Sequence, residues 1–481
     1  MSKRGPIIVV GIVAAVLLAA PFALGMMAES NVRAQIAQLN DYPSGLSFEI
    51  TGYERGWLAS RATVEVSAGQ GLFQMISAEN PSIAGLADQI KAPFILELGH
   101  GPILTLNGFE IGSYAVKADL DPEVQWVQTV MNMLDVPYLF ELRGHTGIGS
   151  GFEFEGDVPP FETARGEETF SFSGLNFSGH KGGTDLMLDV GLDRFSIQSP
   201  AESSFVEGLA YIGAYQIRPG TLPLGSWKVG ADRIATTNPL LGADAATRIN
   251  GFSLLATTGL NDAGNVDIGI TYALDSIAVP EAALPGVTGL GDLQLGFKLM
   301  NIDSKAVDDF YAMIGQMYSS GSDPSLLMLQ MLPTINRVVA AGPSVALDPV
   351  QFSMDGGRLQ TSLMVSLDPT ALPTGQVMDL MDRAVLMQAL DAKLELTASK
   401  TLVNDIVKLS LREQMGAQLA DMPEDQAEAM LSQRADQSIG LIVGQGLLAD
   451  NGDAYSTTVT FADGTATVNG TPFPLEALGL L

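Results

Sequence analysis

From residue 47 to about residue 302 the chain returns repeatedly to a period of two, a rhythm that only extended strands can use. In "SFEITGYERGWLASRATVEV" (47–66), Phe48 and Ile50 point one way while Ser47, Glu49 and Thr51 point the other. Further on, Leu58, Ala62, Val64 and Val66 share a face against Arg61, Thr63 and Glu65. The alternation breaks at Tyr53-Glu54-Arg55-Gly56, which predicts a hairpin or a sharply bent strand.

Similar patterns recur in "APFILELGHGPILTL", "GTDLMLDVGLDRFSI", "TRINGFSLLATTGL" and "NVDIGITYALDSI", separated by turn signals such as "HKGG" and "LNDAGN". Short turns favour an antiparallel meander, because parallel pairs need long crossovers. One segment before this pattern and one interruption within it read as helix. In "ESNVRAQIAQLND" (29–41), Val32, Ile36 and Leu39 have helical spacing, and "DPEVQWVQTVMNMLD" (121–135) places Pro122 in a first turn.

Beyond 302 the pattern mixes. Val307, Phe310, Tyr311, Ile314, Met317 and Tyr318 form a helical stripe, and Asp323-Pro324 opens a second helix through "PSLLMLQMLPTINRVVA". Strands are expected in "SVALDPVQFSMDGGRLQTSLMVSLD", turning at Asp355-Gly356-Gly357, and in "VLMQALDAKLELTAS". Two helices follow, near 400–420 and 423–446, and a hairpin turns at Asp463-Gly464. The expected class is α+β, mainly antiparallel β: a long curved or meandering sheet, with helices in the C-terminal half, after one N-terminal transmembrane helix. The expected segments are an anchor at 1–28, a mainly antiparallel β region at 29–302 and a mixed region at 303–481. No low-complexity linker separates the last two, so one extended domain fits as well as two.

The anchor expectation rests on "GPIIVVGIVAAVLLAAPFALGMMA" (5–28), an uncharged run long enough to cross a hydrocarbon core of about 30 Å. Lys3 and Arg4 before it place the N-terminus in the cytoplasm and the body across the membrane. A cleaved signal peptide is the competing reading, with Ala23 and Gly25 as small cleavage-site residues. The run exceeds the usual signal core, which favours the uncleaved anchor.

Charge and composition exclude several functions. With 54 acidic and 25 basic residues, net −29, the chain is unsuited to neutralising nucleic-acid phosphates, and no nucleic-acid partner is expected. With no cysteine, thiolate chemistry and disulfides are absent. No phosphate loop, nucleophile elbow or His-Glu-x-x-His is present, and no cofactor is expected. The three histidines, His100, His145 and His180, each follow a glycine, and nothing in their spacing brings them together. "NDAGNVD" (261–267) and "ADNGD" (449–453) have the acids of a weak calcium site but read more simply as turns.

Four segments in order, "YERGWLAS", "HGPI", "DAKLELTAS" and "FADGTATVNGTPFPLEAL", resemble the YdgA-like family of bacterial envelope proteins, whose function is unassigned. The resemblance spans nearly the whole chain and implies a single-pass inner-membrane protein with a periplasmic body. It carries no catalytic residue. Tyr53, Arg55, Gly56, His100, Gly101 and Pro102 match family motif positions of unassigned role, and an architectural corner is the simplest reading of them.

The functional expectation is a non-catalytic envelope protein offering an apolar sheet face to lipid or another amphiphile. The alternative is an assembly module that binds an envelope protein or a second copy of itself. A third reading, an enzyme, would gain from two histidines and a carboxylate meeting in one pocket.

Overall fold

The computed structural model describes residues 29–474, apart from 31, 38, 41–45, 57, 69–90, 102, 148–150, 219, 238–245, 279, 281–288, 321–330, 355 and 420–421. The chain is mainly antiparallel β and divides into two compact units. The first holds residues up to Pro200, Glu207–Trp227 and Val307–Leu332; the second holds Ala201–Val206, Lys228–Ala306 and Pro333 onward.

The first unit is built on β1 (Leu46–Arg55), β2 (Ala59–Ala68), β3 (Lys91–His100), β4 (Ile103–Leu104), β5 (Glu110–Leu120) and β6 (Glu141–Gly147). It continues with β7 (Phe152–Val158), β8 (Phe161–Arg165), β9 (Glu168–Phe172), β10 (Leu175–Gly182) and β11 (Asp185–Gln198). Pairing runs β1-β2-β3-β5-β6-β7-β10-β11, antiparallel throughout, as the alternation and short turns require. Strands β7 and β8 form one interrupted strand facing β9 and β10. Leu175 stands opposite Val158 and Phe172 opposite Phe161, so the register carries across the break.

The break lies at Pro159-Pro160 on one side and Ser173-Gly174 on the other. Proline has no N–H to donate to a ladder. Gly174 has φ +96, in the region that favours glycine. Past this break the apolar residues change faces. The rings of Phe161 and Phe172 lie 5.0 Å apart and tilted, on the side that carries polar residues before the break.

Strands β12 (Ser203–Gln216) and β13 (Leu224–Thr237) contribute residues to both units. The second unit continues with β14 (Ala246–Leu260), β15 (Val266–Ala278), β16 (Leu290–Ile302), β17 (Ser344–Met354), β18 (Gly357–Leu367) and β19 (Leu390–Ser399). It closes with β20 (Ala449–Asp450), β21 (Ala454–Ala462), β22 (Thr465–Val468) and β23 (Thr471–Phe473). The meander is β14-β15-β16-β17-β18-β19-β21-β22-β23. Val339, Leu372 and Ala389 form a small core under Ile335, Leu367, Val377 and Leu380. The helices Lys400–Leu419 and Glu424–Gly444 pack against each other, burying Leu402, Leu431, Ala435 and Ile439.

Several expectations need correction. "VLMQA" (385–389) is helical, not strand: Asp382 accepts a hydrogen bond from the Ala384 N–H and caps a helix at Arg383–Ala389, so the strand begins only at Leu390. Pro122 lies in a turn before its helix, which runs Gln125–Leu134. Of the helix expected from Asp323-Pro324, the described part is Leu332–Ala341, and the rest lies outside the described residues. The expected anchor, 1–28, also lies outside them; among the described residues no helix is long and apolar enough to cross a membrane.

The acidic turns have structural uses. Asn261 accepts hydrogen bonds from the Ala263 and Asn265 N–H groups, and Asp450 pairs with Lys400. Among the described residues no group of three or more His, Asp or Glu is arranged to hold a metal ion.

Candidate functional site

The motif at 53–56 forms the corner between β1 and β2. Tyr53 faces Ala62, Glu54 faces Arg61 and Arg55 faces Ser60. A side chain at Gly56 would collide with the Ala59 carbonyl, so the corner closes only around glycine. His100 ends β3 beside this corner. Its N–H donates to the Leu58 carbonyl at 2.9 Å, and its Nε2 lies 3.0 Å from Ser60 Oγ. The imidazole is buried at 1% exposure. Gly101 turns the chain away at φ +134, and Pro102 lies outside the described residues. The two motifs are therefore one structural feature, at one end of the first unit's sheet.

Antiparallel register puts directly opposed residues on the same face, so the faces can be read row by row. One row is Tyr53, Ala62, Leu96, Ala118, Leu142, Gly156, Phe177 and Val190. The next is Arg55, Ser60, Leu98, Val116, Gly144, Phe154, Gly179 and Leu188. A third is His100, Tyr114, Thr146, Phe152, Lys181 and Leu186. These rows form an apolar face without a carboxylate, its only formal charges being Arg55 and Lys181.

Phe154 lies over Gly179, Phe177 over Gly156 and Phe152 over Gly144, at contacts that any larger residue at those glycines would obstruct. Phe140 stacks on Phe177 at 5.4 Å and meets Phe94 edge-on at 5.9 Å. Most large side chains of this face are only half-buried, among them Phe94, Leu96, Tyr114, Val116, Phe154 and Phe177.

The opposite face carries the charge. Glu54, Arg61, Glu97, Lys117, Arg143, Glu155, Ser178 and Asp189 form one row across eight strands. Lys117 Nζ lies 2.8 Å from Glu141, which also pairs with Arg143. Burial acts to raise the Glu141 carboxyl, but Lys117 and Arg143 outweigh it and hold its pKa below the ordinary value.

The parallel row on this polar face runs Ala115, His145, Glu153, His180 and Met187. His145 and His180 thus flank Glu153 on adjacent strands. All three line an open depression of about 590 Å³ that also touches Arg143, Glu155 and Asp189. His145 Nε2 lies 3.8 Å from Glu153, while the His180 ring lies beside Gly151 and Gly182. Sequence reasoning missed this row, although correct pairing of β6, β7 and β10 would have revealed it.

The second unit also has an apolar face. Ala256, Ile270, Phe297, Leu347, Leu363, Leu394, Val459 and Val468 form a row with no polar member. On the same face, Tyr272 and Leu295 are opposed, and with Phe297 and Val345 they are about 40% exposed (45%, 42%, 40% and 39%). A cluster of such residues on one face is more than scattered surface hydrophobicity.

The helical residues within 29–40 reach the first unit through polar contacts. Glu29 pairs with Arg55 and Arg33, Lys181 Nζ donates to Gln35 at 3.3 Å, and Asn40 both donates to and accepts from the Phe48 backbone at 2.9 and 2.8 Å. The two charges of the apolar face are thus both engaged by this helix.

No curated protein and no solved structure matches the chain. The model of the family DUF945, described as "Bacterial protein of unknown function", matches residues 1–476, and the chain belongs to that family.

Proposed function

We propose that this is a membrane-anchored envelope protein that holds the acyl chains of an amphiphile on the apolar face of its sheet. The observation that carries the reading is the separation of the two faces in the first unit. One is a charge lattice; the other has three successive rows of mainly carbon side chains, of which Leu96, Tyr114, Val116, Phe152, Phe154 and Phe177 remain half-buried. Burying such surface is favourable by roughly 25 cal/mol per Å², so an acyl chain laid along it has a driving force that a hydrated ligand lacks. The exposed Tyr272, Leu295, Phe297 and Val345 of the second unit support the same chemistry. The N-terminal uncharged run, Lys3 and Arg4, and the YdgA-like resemblance support a periplasmic body on one anchor.

Mass spectrometry of solvent extracts from the purified protein tests the reading. Stoichiometric lipid supports it, and a folded, lipid-free protein that takes up none when offered would overturn it.

An enzymatic reading draws on a specific observation, the meeting of His145, Glu153 and His180 at one depression. A carboxylate beside an imidazole can orient it as a general base. Loss of an assigned hydrolytic activity in Glu153→Gln with unchanged lipid content would favour this reading over the first.

A further inference from the structure

Beside the β1–β2 corner lies an open depression of about 370 Å³, lined by Glu29, Arg33, Ile50, Thr51, Gly52, Tyr53 and Arg55. Two guanidinium groups meet there around one carboxylate: Arg33 donates to Glu29 Oε1 through Nε and Nη2 at 3.2 and 3.1 Å, and Arg55 pairs with Oε2. Arg55, and then Arg33, hold the Glu29 carboxyl below its ordinary pKa. The Tyr53 hydroxyl is buried and has no hydrogen-bond partner among the described residues, and a buried hydroxyl left unpaired has an unmet demand.

We infer that Arg33, Arg55 and Tyr53 form a binding site for the phosphate of a membrane phospholipid, and that the Glu29 carboxylate occupies it as an internal stand-in. Guanidinium forks match phosphate oxygens bidentately. With two cations against one carboxylate, the site keeps a net positive charge in a chain of net charge −29. The depression on the opposite face does not suit an anion, because Glu153, Glu155 and Asp189 line it.

Location selects a lipid over free phosphate. Glu29 directly follows the uncharged run 5–28, and Arg55 and Tyr53 belong to the apolar face, so a headgroup bound there lays its chains along the half-buried Leu96 and Val116 of that face. This inference rests on the amphiphile reading and supplies its headgroup end. It also gives the unassigned motif positions Tyr53 and Arg55 a ligand.

The test is native mass spectrometry of the full-length chain in mild detergent, titrated with phosphatidylglycerol or with diacylglycerol of the same chains. Wild type is expected to prefer phosphatidylglycerol, and Arg55→Gln to lose about tenfold of that preference while binding diacylglycerol unchanged, as expected for one charged hydrogen-bond partner. Glu29→Gln, which leaves the hairpin intact, is expected to bind phosphatidylglycerol more tightly than wild type. Equal binding of the two lipids, with both variants silent, overturns the headgroup site and leaves the apolar-face reading standing. Binding of neither lipid by wild type overturns both. Displacement of phosphatidylglycerol by equimolar inorganic phosphate overturns the lipid assignment.

Discussion

His100 Nε2 lies 3.0 Å from Ser60 Oγ, joining residues 40 positions apart and fixing the end of β3 against the start of β2. Both side chains are almost fully buried, at 1% and 4% exposure. The contact explains why a histidine can sit on an apolar face. Its polar edge is turned toward the hairpin corner, and its ring body fills space beside Leu98, itself only 2% exposed.

His100→Ala is therefore expected to destabilise the first unit by about 2–4 kcal/mol, through the cavity left and the lost partner of Ser60. Ser60→Ala, which removes one hydroxyl, is expected to cost about 1 kcal/mol. Chemical denaturation of the two variants measures both. Equal, negligible effects would contradict the architectural role.

A Cβ at Gly179 would run into the Phe154 ring and the Met187 carbonyl, while at Gly191 it would meet nothing. Gly179→Ala is expected to cost about 1–3 kcal/mol by overpacking. Gly191→Ala is expected to stay within about 0.5 kcal/mol of wild type. Melting temperatures of the pair decide whether the rings are held as described.

In the C-terminal helical pair, Glu428 accepts from Lys408 at 2.8 Å and from Arg412 at 3.1 Å. Lys408, chiefly, holds its carboxyl below the ordinary value. A carboxyl depressed in the folded state adds stability above its unfolded pKa of about 4.3, and loses it as pH falls through the lower folded value. The carboxylate is 46% exposed, so the contribution is at most about 1 kcal/mol. Wild type should melt slightly above Glu428→Gln at pH 7, and the gap should close below about pH 4. A gap that persists in acid would contradict the ion pair as its source.

Local pattern carried much of the fold. The alternation around Tyr53-Glu54-Arg55-Gly56 is the β1–β2 hairpin, and Asp463-Gly464 is a turn with both residues at positive φ, 51 and 71. "VLMQA" misled because an apolar run of this length suits a strand or a helix, and the cap at Asp382 decides for helix. The faces were legible strand by strand, but their union was not. Register between distant strands sets which side chains share a row, so His145, Glu153 and His180 looked unrelated until paired. The Glu29–Arg55 pair was hidden for the same reason, spanning 26 positions with no periodic signal.

The most direct test of the central claim uses two neighbours on β3 that face opposite ways: half-buried Leu96 on the apolar face and exposed Glu97 on the polar one. A photo-crosslinking benzophenone amino acid is placed at each position in the full-length chain in bacterial cells, and adducts are read by mass spectrometry. The account predicts lipid-mass adducts from position 96 and none from position 97. No lipid adduct at 96, or equal yields at both positions, would contradict it.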